Sequence, residues 1–599
     1  MTFFYVFSVL FLIGSFLIYK KTDRKLCLVS MIIYTIGLLF CYNTFIVYLV
    51  HLLKIKGGLL LFSLINYGIA GVILLISLFK EKKIQKYYFD KKRIAVIGCL
   101  CFLIFVIGCC KYRGFNDISF DSVDAAVHFR HAQHFSGNMS FLTDENSQDI
   151  VFGSFGRIMS ISYINCGLLF KVFEGVESYK IFLYYNVGFF VLIAGIFIIT
   201  ILNLLDNEKK KYGHALMISL IYLLAFPLNN FSMGFCYFSL CIMVLNLLFL
   251  TILNFKNDMN KKILFKIMVI FLLIFSVFYG YYLFVPAIYL ALGLYYIYLF
   301  KKQEINFKEL LLYGGITLII PFVMGCLFFI IPWVSSSGVE GVTTLISLWG
   351  HCYDNITPIY LFMFGSVYLI FRNKVNKING KDDIYLKISL YVLSGYIILF
   401  FIYYILAGAD EYYLYKLFSG YWLMIIIYFS RDIIKYKKVI YTIFIILCII
   451  NILCYFNSDN KIFNVLKKTN IYTWNVFTFT DDRTMFTKDE LEVLEESKNY
   501  KDECLQNNRF LTIGQRRKNM WFYVLTEMIP IPQSVEGNYT EMYNYYIESF
   551  DEWDRKYNSY RCAIYYNESG KKEVDLTKFE VLYENKAGMI IKRLENNIN

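Results

Sequence analysis

Residues 94–134 read IAVIGCLCFLIFVIGCC-KYRGFNDISFDSVDAAVHFRHAQH. The first 17 are apolar throughout, a length that begins to cross ~30 Å of hydrocarbon as a helix. The residues that follow are polar. They carry three carboxylates (Asp117, Asp121, Asp124) and three of the chain's six histidines (His128, His131, His134) within eighteen positions. A span that hands a carboxylate–imidazole segment to the bilayer edge decides how the rest of the chain is read.

Outward from this stretch the composition tells the same story. Of 599 residues, 58% are hydrophobic, 19% aromatic and only 18% charged, where a soluble domain is about a quarter charged. Soluble enzymes, disordered scaffolds and disulfide-stapled secreted modules are excluded. Apolar runs long enough to span are 2–19, 26–50, 57–79, 94–110, 180–205, 214–231, 232–254, 263–280, 282–300, 310–333, 359–371, 384–408, 416–430 and 439–456, about 14 transmembrane helices. The run 263–300 holds two helices only if Tyr279-Gly280-Tyr281-Tyr282 makes the turn. The first run lacks a basic leader and a small-residue cleavage site, so it reads as a retained helix.

Basic loops then set the orientation, because Lys- and Arg-rich short loops stay in the cytoplasm. Lys20–Lys25, Lys80–Arg93, Lys209–Lys211, Lys261–Lys262, Lys301–Lys302, Arg372–Lys381 and Arg431–Lys438 all fall on one side of this arrangement; Lys54 and Lys56 are the exception. The N-terminus, the loop 111–179 and everything after Phe456 are expected outside, in a multi-pass cell-membrane protein. The net charge of +13 divides accordingly. From residue 457 on there are 20 basic against 23 acidic residues, leaving 39 against 23 in the membrane part. The basic excess orients spans, and a nucleic-acid partner has no support.

Three parts are expected: N-terminal helices (1–93), a transmembrane core with its outer loop (94–456), and an extracytoplasmic α+β domain (457–599). In the last, Thr487-Lys488-Asp489-Glu490 is a capping box opening a helix that runs to about Tyr500. Arg509–Ile513 and Phe579–Tyr583 alternate as strands, and Gly588–Arg593 pairs with the latter through Asn585–Ala587. The only cysteines there, Cys504 and Cys562, form a candidate extracytoplasmic disulfide. The fold class is mainly α, polytopic, with this small α+β domain appended.

The chemistry is sought in three places. From Asp124 onward the loop suits a helix, with Asp124 and His128 on one face and His131 three further; Phe129 and Phe135 are expected to dip it into the membrane interface. Asp124 is then either a general base for a hydroxyl nucleophile or a helix cap. A metal site from Asp124, His128 and His131 has only weak spacing, and a divalent cation is left open. Second, Tyr412-Tyr413-Leu414-Tyr415-Lys416 puts phenols and an ammonium on one helix face, either to bind a lipid-linked phosphate or as an aromatic belt with a snorkelling lysine. Third, the hairpin 226–237 places Asn229 and Asn230 with Pro227 and Gly234 at membrane depth, where polar groups are costly unless they line a cavity. The loop 334–358, with Ser335–Ser337, Glu340, His351 and Asp354, is a further candidate cover.

A span, an outer loop bearing Asp121-Ser122-Val123-Asp124-Ala125-Ala126-Val127-His128-Phe129, many helices and an outer C-terminal domain resemble the GT-C superfamily of integral-membrane glycosyltransferases. The Pro227–Asn229 to Gly234–Phe235 hairpin, the Tyr412-Tyr413-x-x-Lys416 segment and the tail ending at Phe579–Asn585 resemble features of poorly characterised bacterial members. The resemblance implies a catalytic carboxylate at Asp124 or Asp121 assisted by His128. It implies an inverting hexosyl transfer from a polyprenyl-phosphate-linked donor to a cell-surface or lipid-linked glycan acceptor such as cell-wall polysaccharide. Lys416, Tyr412, Tyr413, Arg130, His131 and Asn229 would contact substrate. Three helices before the acidic loop, and Ala125 where many relatives have a second acid, depart from the pattern. A polysaccharide polymerase or ligase, and a transporter of lipid-linked oligosaccharide, are the competing readings. The transporter predicts two-fold repetition, which the sequence lacks.

Overall fold

The computed structural model describes residues 1–20, 27–80, 89–122, 124–139, 160–206, 208–255, 263–331, 357–375, 384–407, 412–456, 461–462, 484–500, 504, 509–513, 518–526, 529–531, 553, 555, 560–566, 575 and 577–594. The chain is a polytopic helical membrane protein with a small mixed sheet. Its long helices are α1 (Thr2–Lys20), α2 (Leu28–Leu52), α3 (Leu59–Lys80) and α4 (Lys91–Lys111). After a short strand β1 (Ile118–Ser119) come α5 (Asp124–Asn138), α6 (Ile161–Val172) and α7 (Ser178–Leu204). The bundle continues with α8 (Lys211–Leu223), α9 (Phe226–Met233), α10 (Cys236–Phe255), α11 (Ile263–Gly280) and α12 (Val285–Lys301). It closes with α13 (Phe307–Gly325), α14 (Thr357–Val375), α15 (Ile384–Ala407), α16 (Tyr412–Tyr428), α17 (Ser430–Lys435) and α18 (Lys437–Phe456). Among the described residues nine helices are long and apolar enough to cross a membrane, ten if the bent pair α8–α9 counts as one span.

The expected spans fall on helices, except that 214–231 is divided between α8 and α9; the division of 263–300 holds, with α11 ending at Gly280 and a 3-10 turn at Tyr282–Phe284 leading into α12. Lipid-facing sides are plain: Phe3 and Phe7 of α1, Phe79 of α3, Phe102 of α4, Phe322 of α13 and Phe364 of α14 lie exposed, tolerable only where hydrocarbon replaces water. The opposite faces of α2, α7, α10 and α11 form one continuous core. Several polar groups inside it are paired across helices. Tyr34 meets Thr251 at 2.7 Å, Thr200 donates to Asn246 at 2.9 Å, and Asn43 donates to Asn165 of α6 at 2.9 Å. Through that last contact the N-terminal helices support the site region, which their sequence did not suggest.

The tail carries β2 (Thr484–Phe486), α19 (Lys488–Ser497), β3 (Arg509–Ile513), α20 (Lys518–Thr526), β4 (Ile529–Ile531), β5 (Cys562–Tyr566), β6 (Phe579–Glu584) and β7 (Gly588–Arg593). The sheet order is β4-β3-β5-β7-β6, parallel between β4, β3 and β5 and antiparallel beyond. The Thr487 capping box, the helix it opens and the hairpin at Asn585–Ala587 all form as their sequence indicates. Cys504 and Cys562 are joined by a disulfide. Alternation along the strands sorts two faces: Leu511, Ala563, Tyr565 and Ile591 pack on Trp553, whereas Ile564, Tyr566 and Ile590 join the core that runs into the bundle.

Three contacts tie the tail to the acidic segment. β1 pairs antiparallel with β2, with Ile118 opposite Phe486. Asp117 Oδ1 accepts the Lys488 backbone N–H at the start of α19, at 3.0 Å. Trp521 of α20 is fully buried, stacked on Phe120 and tilted against Phe129. Residues 111–138 and the tail therefore sit at one end of the bundle.

Candidate active site

The site starts where α4 stops. Asp90 caps α4 at one end, accepting from the Lys92 and Arg93 amides; at the other, Lys111 is buried with 1% of its side chain exposed. An isolated ammonium there would be prohibitively costly. Asp121 resolves it: Oδ1 lies 3.1 Å from Lys111 Nζ, Ser232 Oγ donates to Oδ2 at 2.7 Å, and the Asp121 amide donates to the Ser232 carbonyl at 3.0 Å. Lys111 also donates to Ser232 Oγ at 3.1 Å. Asp121 is thus an anchor, its oxygens engaged by α4 and α9.

The partner Ser232 is delivered by a broken helix. Pro227 lies in the first turn of α9 and removes a helical donor, so α8 stops and α9 restarts at a 49° bend. Gly234 ends α9 with φ +76°, a conformation that costs a side-chain-bearing residue energy. A Cβ on Gly234 would lie 2.7 Å from Cβ of Ala125 and 2.8 Å from the Phe120 ring. The expected 226–237 hairpin is therefore a short buried helix plus a turn, pressed against α5. Asn229 is buried in it, and Asn230 donates to Ser419 of α16 at 3.4 Å.

Three residues beyond the anchor, α5 begins. Ser122 Oγ accepts the Asp124 amide at 3.2 Å, a local side-chain turn that leads the chain into α5. Asp124 stands half-buried in the first turn, where the helix N-terminus favours an anion. His128, one turn on, is buried between two phenols. Its Nδ1 is 2.8 Å from the Tyr163 hydroxyl, and its ring centroid is 4.5 Å from that of Tyr237. Lys416, only 2% exposed, donates to the Tyr237 hydroxyl at 2.5 Å. Its ammonium sits over the rings of Tyr281 (4.7 Å), Tyr237 (5.1 Å), Phe235 (5.3 Å) and Phe238 (5.7 Å), an aromatic box that stabilises a cation away from water. Burial first, and the Lys416 charge second, push the His128 imidazole down to about 3. Burial, then His128 and His134, hold His131 well below its usual range. Both rings are neutral at physiological pH. The Asp124 carboxylate adds to burial in keeping the proton on the Tyr163 phenol.

The fold thus brings Asp124, His128 and Lys416 into one cluster through Tyr237, the last residue of the 226–237 hairpin, and Tyr163, which no sequence motif marks. Tyr163 lies on α6, an apolar helix too short to span, inside what reads as a long loop. Its sequence signal is a short apolar run, buried on nearly every side in the fold. His131 stacks on Tyr163 with centroids 4.6 Å apart. Arg130, two positions from His128, leaves on the far side of α5 with its guanidinium over Tyr523 at 5.8 Å. Phe129 and Phe135 do not dip into lipid. Both are fully buried, Phe129 against Phe170, Phe182 and Trp521, because α6, α7 and the tail enclose α5. The Tyr412 and Tyr413 side chains and the loop segment 334–356 lie outside the described residues. Among the described residues no three His, Cys, Asp or Glu side chains converge as metal ligands.

No protein-family model matches the chain, and no curated protein matches it. Among solved structures it is similar to the crystal structure of ArnT from Cupriavidus metallidurans in the apo state. The identity is 10% and the TM-score 0.42, over 84% of this chain and 99% of that one. That likeness is weak, and no chemistry follows from it.

Proposed function

We propose that the chain is a membrane glycosyltransferase that moves a sugar from a polyprenyl-phosphate-linked donor to a glycan acceptor at the extracytoplasmic face. The observation that carries this reading is a half-buried carboxylate and a buried ammonium, Asp124 and Lys416, held in one cluster at the bundle end that also bears the tail. In the reaction, Asp124 accepts the proton of the acceptor hydroxyl as its oxygen attacks the anomeric carbon. The bond from that carbon to the phosphate oxygen breaks, and the phosphate departs with its charge stabilised by Lys416. Attack opposite the leaving group inverts the anomeric centre. The carboxylate also stabilises the oxocarbenium character that develops between the two steps of bond change.

Two features support the division of labour between the acids. Asp121 is committed to Lys111 and Ser232, which fixes the start of α5. Asp124 stands in the first turn, beside the phenol–imidazole pair. The basic residues of the loops at the other end of the bundle support an outward-facing site. The test is surface-glycan analysis in a deletion strain complemented with Asp124→Asn. Loss of the glycan with normal membrane levels of the variant is expected; full complementation contradicts the assignment.

A further inference from the structure

The His128 imidazole has one nitrogen engaged and one in reserve. Nδ1 faces the Tyr163 hydroxyl at 2.8 Å. Nε2, on the other edge of a ring that is 7% exposed, is buried with no hydrogen-bond partner among the described residues. A buried imidazole nitrogen left without a partner loses its hydration with nothing in return, and native proteins rarely retain one without a use. The ring's other neighbours are Tyr237, whose hydroxyl is taken by Lys416 at 2.5 Å, and Lys416 itself, close enough to act on the imidazole through space.

We infer that Tyr163 is a positioning residue: its hydroxyl donates to His128 Nδ1, fixes the neutral tautomer with the proton on Nε2, and so presents an N–H donor to the same phosphate oxygens that Lys416 binds. This rests on the glycosyltransferase reading for the identity of the anion. The anion selects the tautomer: a phenol that donates to Nδ1 leaves the imidazole proton on Nε2, whereas the reverse bond would make Nε2 an acceptor, which a phosphate oxygen cannot use. A neutral donor next to a cation suits a phosphate, since it adds a directed hydrogen bond without a second buried charge to desolvate. Tyr163 is itself fixed by the ring of His131 stacked on it at 4.6 Å and by α6, whose Asn165 is tied to Asn43 of α2. Positioning therefore reaches the bundle core.

The tautomer is readable without any substrate. In protein labelled with 15N-histidine and reconstituted in nanodiscs, the His128 signals, assigned by their loss in His128→Asn, are expected to show a protonated Nε2 and an unprotonated Nδ1 at pH 7. Tyr163→Phe is expected to yield a mixture of tautomers. A protonated Nδ1 in the wild type, or an unchanged spectrum in Tyr163→Phe, overturns the inference. Adding polyprenyl phosphate is then expected to shift the Nε2 resonance, with binding weakened about tenfold in Tyr163→Phe. His128→Gln, whose amide nitrogen replaces Nε2, should retain more affinity than His128→Asn. Binding of polyprenyl phosphate to the wild type with no change at Nε2 overturns the donor role alone. Failure of the wild type to bind it at all removes the glycosyltransferase reading and with it the role assigned to Nε2.

Discussion

At the scale of single residues, two aspartates three positions apart are predicted to fail differently. Asp121→Asn leaves Lys111 as a buried charge without its counter-ion, which costs about 3–5 kcal/mol. It should lower the melting temperature in nanodiscs, whereas Asp124→Asn should leave it unchanged. Equal melting shifts in the two variants would contradict the assignment of anchor and base. The depressed histidines of the site, His128 and His131, give a pH signature. Between their folded values and the usual 6.5, the unfolded chain holds protons that the native one does not. Stability therefore rises with pH in that window and is lost as pH falls from 6.5 toward 3. Each ring adds a slope of ~1.4 kcal/mol per pH unit. Melts at pH 7 and pH 5 should differ, and less so in His128→Asn; a flat profile would mean the rings are already charged or exposed.

At the scale of elements, α5 is clamped between the turn after α9 and the tail helix α20. Gly234→Ala adds a methyl where Ala125 and Phe120 already stand and strains a left-handed backbone, so loss of both stability and activity is expected. Trp521→Ala empties the space between Phe120 and Phe129, a truncation that costs about 3–5 kcal/mol. It should uncouple the tail, detected as faster amide exchange along α5; unchanged exchange contradicts the clamp. These elements also show what a sequence can disclose. Spans, the Thr487 capping box and the β6–β7 hairpin are local patterns of hydropathy, capping and alternation, and they were legible. The pairing of β1 with β2 joins residues hundreds of positions apart and leaves no local trace. Nor did the aromatic box around Lys416 announce itself, because Phe235, Tyr237, Phe238 and Tyr281 look like ordinary interfacial aromatics until two spans bring them together. Tyr163 was hidden for a related reason, lying on a helix too short to register as a span.

At the scale of the whole molecule, the acidic segment and the tail share one end of the bundle, and the Lys- and Arg-rich stretches of the sequence predict that this end faces away from the cytoplasm. Reporter fusions after residues 80, 150 and 470 should therefore report inside, outside and outside. A cytoplasmic tail would break the site model, since β1 and β2 cannot pair across a bilayer. The central claim is tested most directly by donor turnover in nanodiscs, with polyprenyl-phosphate hexoses as substrates and released polyprenyl phosphate as the readout. The wild type should release it from one of these donors in the presence of acceptor glycan, and Asp124→Asn, folded and equally stable, should do so at least about 100-fold more slowly. Release by Asp124→Asn at the wild-type rate would contradict the account.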